Sequence, residues 1–246
     1  MGSSFMRTES LLWRVYARVY PTVTRSYPYR DMMDAVAGKI PAGSKLVDLG
    51  CGTGGLLHHI AAPVSYLGID RQAEMLDRAR ETATRSRTRP DAAWRSAEID
   101  FRNASIFDPI DWGDPDCVVI NNTFYTLPDK LEALQAIHAQ LAPGGRLILC
   151  DPRGQPRMGP VLRAHFADYR ARHGAIALTR HSVGVLWRLL LIALINLRIL
   201  DRYDFVDETR MRALIAGAGF DAESVEVVYA GQNQLVVATK PRPDES

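Results

Sequence analysis

The chain has 246 residues, 47% of them apolar and 24% charged, and its 30 lysines and arginines stand against 28 acids for a net charge of +2. That balance describes an ordinary globular chain and excludes disorder, collagen and coiled coil. A near-neutral charge gives no general attraction to nucleic acid or to an anionic membrane, which leaves a free small molecule as the expected partner.

Residues 1–10 lack a basic start, an apolar run and a small-residue cleavage site, so no secretory signal is read and a cytoplasmic location is expected. Residues 8–38 read as two short amphipathic helices split by Pro21, rich in Trp13, Tyr16, Tyr20, Tyr27 and Tyr29. From residue 45 short apolar runs alternate with amphipathic stretches, the pattern of a doubly wound α/β domain. Strands are expected over 45–49, 64–69, 99–103, 117–121, 146–150, 224–229 and 234–239. Helices are expected over 73–87, with Met75, Leu76 and Ala79 on one face; over 129–141, capped by Pro128 and closed by Pro143-Gly144-Gly145; and over 208–218, stopped at Gly219.

Residues 152–206 interrupt this rhythm as an insertion before the last helix. Within it, residues 183–200 form the most apolar stretch of the chain, but Arg188, Asn196 and Arg198 leave only 189–195 unbroken. A membrane span needs about 20 such residues. The segment is therefore expected to be buried, to form a dimer interface or to meet a greasy ligand. Cys51, Cys117 and Cys150 are odd in number and lack metal-ligand spacing, so they read as reduced buried thiols. The whole chain, 1–246, is read as one domain with a frayed tail from Lys240.

The strongest signal is Leu46-Val47-Asp48-Leu49-Gly50-Cys51-Gly52-Thr53-Gly54-Gly55, a strand running into a glycine-rich turn. Such a turn lets backbone amides approach a ligand closely. Asp70 closes the second strand 20 residues past Gly50, where it can accept both hydroxyls of a ribose. Glycine spacing alone admits a nicotinamide dinucleotide, since Gly50, Gly52 and Gly55 satisfy G-x-G-x-x-G. Asp48 discriminates, because an acid two residues before the first glycine crowds a pyrophosphate and suits an ammonium.

With Gly50, Gly52 and Gly54 after that acid, the chain resembles the class I S-adenosylmethionine-dependent methyltransferases over roughly 40–151 and 207–240. Residues 141–147 are similar to that family's turn into its fifth strand. The resemblance implies a Rossmann-like α/β fold: a doubly wound, seven-stranded sheet with an N-terminal helical lid at 8–38 and the helical insertion at 152–206. It implies S-adenosylmethionine as cofactor, held by Asp48 at the methionine ammonium, by Asp70 with Arg71 beside it at the ribose and adenine, by Asn103-Ala104 at the adenine edge, and by Asn121. No metal is implied.

After the fourth strand, Asn122 and Tyr125 match the first and last positions of the N-P-P-aromatic motif of amine-directed methyltransferases, with both prolines missing. An amide carbonyl there can orient an amine, and an aromatic face steadies nearby positive charge by about 0.5–2 kcal/mol. Trp13, Tyr16 and Tyr20 are lid residues that could reach the substrate. His58 and His59 are adjacent on a short helix and point apart, which disfavours a shared metal. His165, His173 and His181, in the insertion, read as structural.

The leading expectation is in-line methyl transfer to nitrogen or oxygen of a small molecule, as in small-molecule biosynthesis. An alternative with the same cofactor is internal cyclisation releasing methylthioadenosine, as in azetidine-2-carboxylate synthases. A lesser one is a cofactor-binding regulatory subunit without turnover. Stable membrane insertion and nucleic-acid binding are not expected, and a homodimer is left open.

Overall fold

A computed structural model describes residues 24–62, 64–87, 98–199 and 203–243, and for 180–199 the helical backbone only. In chain order its elements are α1 (Tyr27–Ala37), β1 (Lys45–Leu49), β2 (Ser65–Asp70), α2 (Ala73–Arg87), β3 (Ile99–Asn103), β4 (Cys117–Asn121), α3 (Lys130–Gln140), β5 (Arg146–Pro152), α4 (Met158–Ile199), α5 (Glu208–Gly217), β6 (Asp221–Val228) and β7 (Asn233–Thr239). Short 3₁₀ turns lie at Gly55–His58 and Phe124–Thr126.

The seven strands form one sheet in the order β3-β2-β1-β4-β5-β7-β6. The first five are parallel, and β7 runs antiparallel to both β5 and β6. Because strand side chains alternate between faces, each central strand feeds two cores. Val118 and Ile120 of β4 pack on one face with α3 and α5, while Cys117 and Val119 pack on the other with Met32, Met33 and Val36 of α1. After β1 the chain turns towards β2, and after β4 it turns towards β5, so the two connections diverge. A crevice opens where they part, at the carboxyl ends of β1 and β4.

Most elements lie where the pattern of apolar residues puts them. β6 starts at Asp221, three residues earlier than expected, because it is an edge strand with exposed residues: its length is set by pairing with β7, interrupted by an irregularity between Ala222 and Ser224, and not by alternation. The α3 cap differs as well. Asp129, not Pro128, caps it, its carboxylate accepting from the Glu132 amide at 2.9 Å. The insertion is mostly one long helix, broken at Gly174, whose φ of 82° and ψ of 171° are not helical.

Of the N-terminal pair, α1 is the second helix; the first, with Trp13, Tyr16 and Tyr20, lies outside the described residues. α1 is fastened to the insertion by Tyr27, whose hydroxyl lies 2.8 Å from His173 Nε2 and whose ring lies under the Arg172 guanidinium. The three cysteines are free and buried. Among the described residues no helix is long and apolar enough to cross a membrane.

Candidate active site

The glycine turn after β1 and the acid after β2 are one hydrogen-bonded unit. The Gly50 and Cys51 amides donate to the Ile69 carbonyl at 2.8 and 3.2 Å. One oxygen of Asp70 accepts from the Gly52 amide and the other from the Gln72 amide, each at 2.9 Å. Each oxygen keeps a lone pair for a further donor. Gly50, Gly52 and Gly54 all have positive φ. At Gly50 a side chain is also excluded by close approach, since a Cβ there would collide with Thr123 on the loop after β4. That contact brings the two loops together across the crevice.

Asp48 sits beneath the turn, 3% exposed, with one oxygen accepting from the Tyr66 hydroxyl at 2.7 Å. Burial pushes its carboxyl up to about 7; the Tyr66 bond opposes this and the Asp70 charge adds to it. The acid singled out in the sequence is therefore half ionised near neutrality, when no cation faces it.

On the β4 side the chain turns sharply at Asn122, whose φ of 51° is left-handed. Its amide nitrogen donates to the Cys150 carbonyl at 2.8 Å. Its side chain is held at both ends: Oδ1 accepts from Asn233 Nδ2 at 2.8 Å, and Nδ2 donates to Asn121 Oδ1 at 3.3 Å. Asn121 in turn donates to the Met33 sulfur of α1 at 2.9 Å. The Tyr125 ring stacks on Phe205 at 5.3 Å and meets Tyr203 edge-on at 5.1 Å.

Below this turn Asp151 is fully buried, and burial pushes its carboxyl well above the usual range, opposed by Lys130 and by the amides of Thr123, Phe124 and Tyr125. Neither of its oxygens completes an aligned hydrogen bond with the described residues.

The two loops enclose a cavity of about 940 Å³. Asp48, Gly50, Gly52, Asp70, Arg71, Ala104, Asn121, Asn122 and Tyr125 line it. Gly54 does not; it packs on Leu57 and Ala79. Asn103 also stays outside, because its amide donates to the Asp70 carbonyl at 3.0 Å and so braces the end of β2 without reaching the cavity. The wall of the cavity beyond β3 is formed instead by Ala104 and the residues that follow it, Ser105, Ile106 and Phe107.

His58 and His59 part as expected, His58 to Ser86 at 3.2 Å and His59 to Asp34 at 2.6 Å. Sequence reading missed Arg25, Tyr203, Phe205, Tyr229 and Asn233, all of which line the cavity. Only Tyr203 and Phe205 carried any signal, as aromatic residues at the end of the insertion.

Residues 23–225 match the family model described as a methyltransferase domain. Among curated proteins, the chain is 28% identical over 171 residues to a carboxy-S-adenosyl-L-methionine synthase of Trichodesmium erythraeum, covering 62% of each chain. It is 30% identical over 133 residues to a demethylmenaquinone methyltransferase of Lactiplantibacillus plantarum, covering 52% of this chain and 54% of that one. The chain thus spans only about three-fifths and half of these relatives. Among solved structures, magnesium protoporphyrin IX methyltransferase from Synechocystis with bound S-adenosylmethionine superposes with a TM-score of 0.58 at 15% identity, over 93% of this chain and 90% of that one.

Proposed function

Because this chain belongs to the S-adenosylmethionine-dependent methyltransferase family, we propose that it transfers a methyl group to nitrogen or oxygen of a small molecule, with nitrogen favoured. When bound, the cofactor supplies an activated methyl carbon on a sulfonium. The cavity fits it: Asp70 keeps two lone pairs for the ribose hydroxyls, buried Asp48 answers an ammonium, and Arg25, two residues before α1, offers a guanidinium to a carboxylate. At about 940 Å³ the cavity is at the upper end of ligand pockets, with room for a second molecule.

The observation that carries the reading is the doubly held amide of Asn122 at the mouth of this cavity. A fixed carboxamide oxygen can accept a hydrogen bond from the N–H of an approaching amine and so aim the amine's lone pair, at no cost of reorganisation. The acids among the described lining residues, Asp48, Asp70 and Glu81, belong to β1, β2 and α2. The transfer end offers amides and phenols, which orient a nucleophile without stripping a tightly held proton from it. A neutral amine meets that requirement. Asn121, Tyr125 and Arg71 are the further contacts proposed, and a cytoplasmic location accords with a freely diffusing acceptor.

The test is product identity. The full chain is incubated with S-adenosylmethionine alone and with a panel of primary amines and phenols. S-adenosylhomocysteine formed only when an acceptor is present supports the proposal. Methylthioadenosine formed without acceptor, above spontaneous decay, would replace it with internal cyclisation.

Asp48 gives a second expectation. At pH 6 its carboxyl, with a value of about 7, is mostly protonated in the free protein, whereas an amino-acid ammonium, titrating at about 8, is fully charged. Pairing then requires Asp48 to lose its proton, so affinity rises as pH climbs from 6 to 7.5, by up to about 10-fold. Calorimetry with S-adenosylhomocysteine at pH 6, in two buffers of different ionisation enthalpy, should show about one proton released per molecule bound. Asp48→Asn should abolish that release. Proton-neutral binding by the native chain would remove Asp48 from the ammonium.

A further inference from the structure

Beside Asn122 the cavity carries a group of side chains that cofactor binding does not explain. Tyr125, Tyr203 and Phe205 are half-buried, line the cavity, and touch one another in one stacked and one edge-on pair. Tyr125 belongs to the turn after β4, while Tyr203 and Phe205 belong to the segment that leads into α5. Lys130 bridges the two segments. Its ammonium donates to the Leu127 carbonyl at 2.9 Å and to the Tyr125 carbonyl at 3.5 Å, and lies 3.7 Å from the carboxylate of Asp204, the residue between the other two rings. Asp204 is fixed from its far side by both Arg210 nitrogens at 2.7 Å.

Lys130 is an unfavourable place for a cation on local grounds. It is only 3% exposed, and it is the first residue of α3, where the helix dipole repels positive charge. What offsets both costs is a set of partners: the Asp204 and Asp151 carboxylates, the Leu127 and Tyr125 carbonyls and the Phe124 ring 5.6 Å away, of which Asp204 and the two carbonyls link the ring-bearing segments.

We propose that Tyr125, Tyr203 and Phe205 form the acceptor subsite, that this subsite selects an amine bearing a flat aromatic ring, and that Lys130 is the positioning residue that holds the three rings together. The inference rests on the methyl-transfer reading of the cavity and adds the class of acceptor to it. Rings offer large apolar faces and edges to a planar partner, and they favour it over a saturated partner of the same size, whose puckered surface cannot stack. An ammonium alone does not produce this preference, since aromatic and aliphatic amines both carry one.

The experiment compares two probes, tryptamine and 2-cyclohexylethylamine, by equilibrium binding to the full chain saturated with S-adenosylhomocysteine. Tryptamine is expected to bind at least about 10-fold more tightly. Phe205→Leu should reduce that ratio several-fold and leave S-adenosylhomocysteine affinity unchanged. Lys130→Met should do the same, and Lys130→Arg, which can still reach the Leu127 carbonyl and Asp204, should restore most of it. A lysine that served only to stabilise the fold would lower thermal stability without moving the ratio. If Lys130→Met does not fold, Phe205→Leu decides alone. No preference in the native chain, whether both probes bind or neither does, overturns the aromatic subsite. Failure of the native chain to bind S-adenosylhomocysteine overturns the cofactor arrangement beneath it instead.

Discussion

Asp70→Ala is expected to weaken S-adenosylmethionine binding about 100-fold. Two ribose hydroxyls would each lose a charge-assisted bond worth about 1.5 kcal/mol or more, and about 2.7 kcal/mol is a factor of 100. The same carboxylate also anchors the Gly52 and Gln72 amides, so its removal frees the glycine turn as well as the sugar. Thermal unfolding of the unliganded variant separates the two contributions, because only the turn affects the free protein. Asp70→Asn keeps one acceptor oxygen and should lose less than the alanine variant. Calorimetry that finds the alanine variant within about threefold of the native chain would take the ribose away from β2.

Asn122→Ala is expected to lower kcat about 100-fold while cofactor affinity stays within about threefold. The loss is placed in kcat because an amide aimed at an approaching nucleophile acts most strongly in the transition state; removing one such preorganised group elsewhere typically costs a factor of 100 to 1,000. Alanine also strains the left-handed φ of 51°, by about 1–2 kcal/mol of stability. Asn122→Gly removes the amide without that strain, so both variants should lose turnover and only alanine should lose stability. Asn233→Ala leaves the Asn122 amide held from one side and should cost about 10-fold in kcat. Turnover is read on whichever member of the amine and phenol panel reacts fastest. If both Asn122 variants keep native kcat, the turn after β4 has no part in the chemistry.

The glycine turn after β1 and the acid at the end of β2 were legible because their causes are local. Leu46, Val47 and Leu49 around Asp48, followed by three glycines, dictate a buried strand and a turn with positive φ, wherever else the chain goes. The stretch from Gly50 to Asp70 is one crossover between parallel strands, a glycine turn, a short 3₁₀ helix and β2, and the hydrogen bonds from the Gly52 amide and to the Ile69 carbonyl lie within it. Gly54 and Asn103 show the limit of that reasoning. Gly54 matches a family position and Asn103 stands where the family often has an acid, yet neighbours within a few ångströms, Ala79 for one and the Asp70 carbonyl for the other, keep both out of the cavity lining.

What the sequence by itself determined is the succession of seven strands and their helices, the glycine turn after β1 and the carboxylates of Asp48 and Asp70 beside it, since backbone propensity, apolar periodicity and glycine stereochemistry act over a few residues. What only the tertiary structure decided is the end of the cavity beside Asn122 and Tyr125. Asn233 reaches Asn122 across 111 residues because β7 is inserted antiparallel beside β5, and Tyr203 and Phe205 meet Tyr125 where the buried Lys130 ammonium bridges their segment and the turn. Contacts of that kind depend on how separately specified elements pack, and no local pattern of residues encodes which distant partner will complete them.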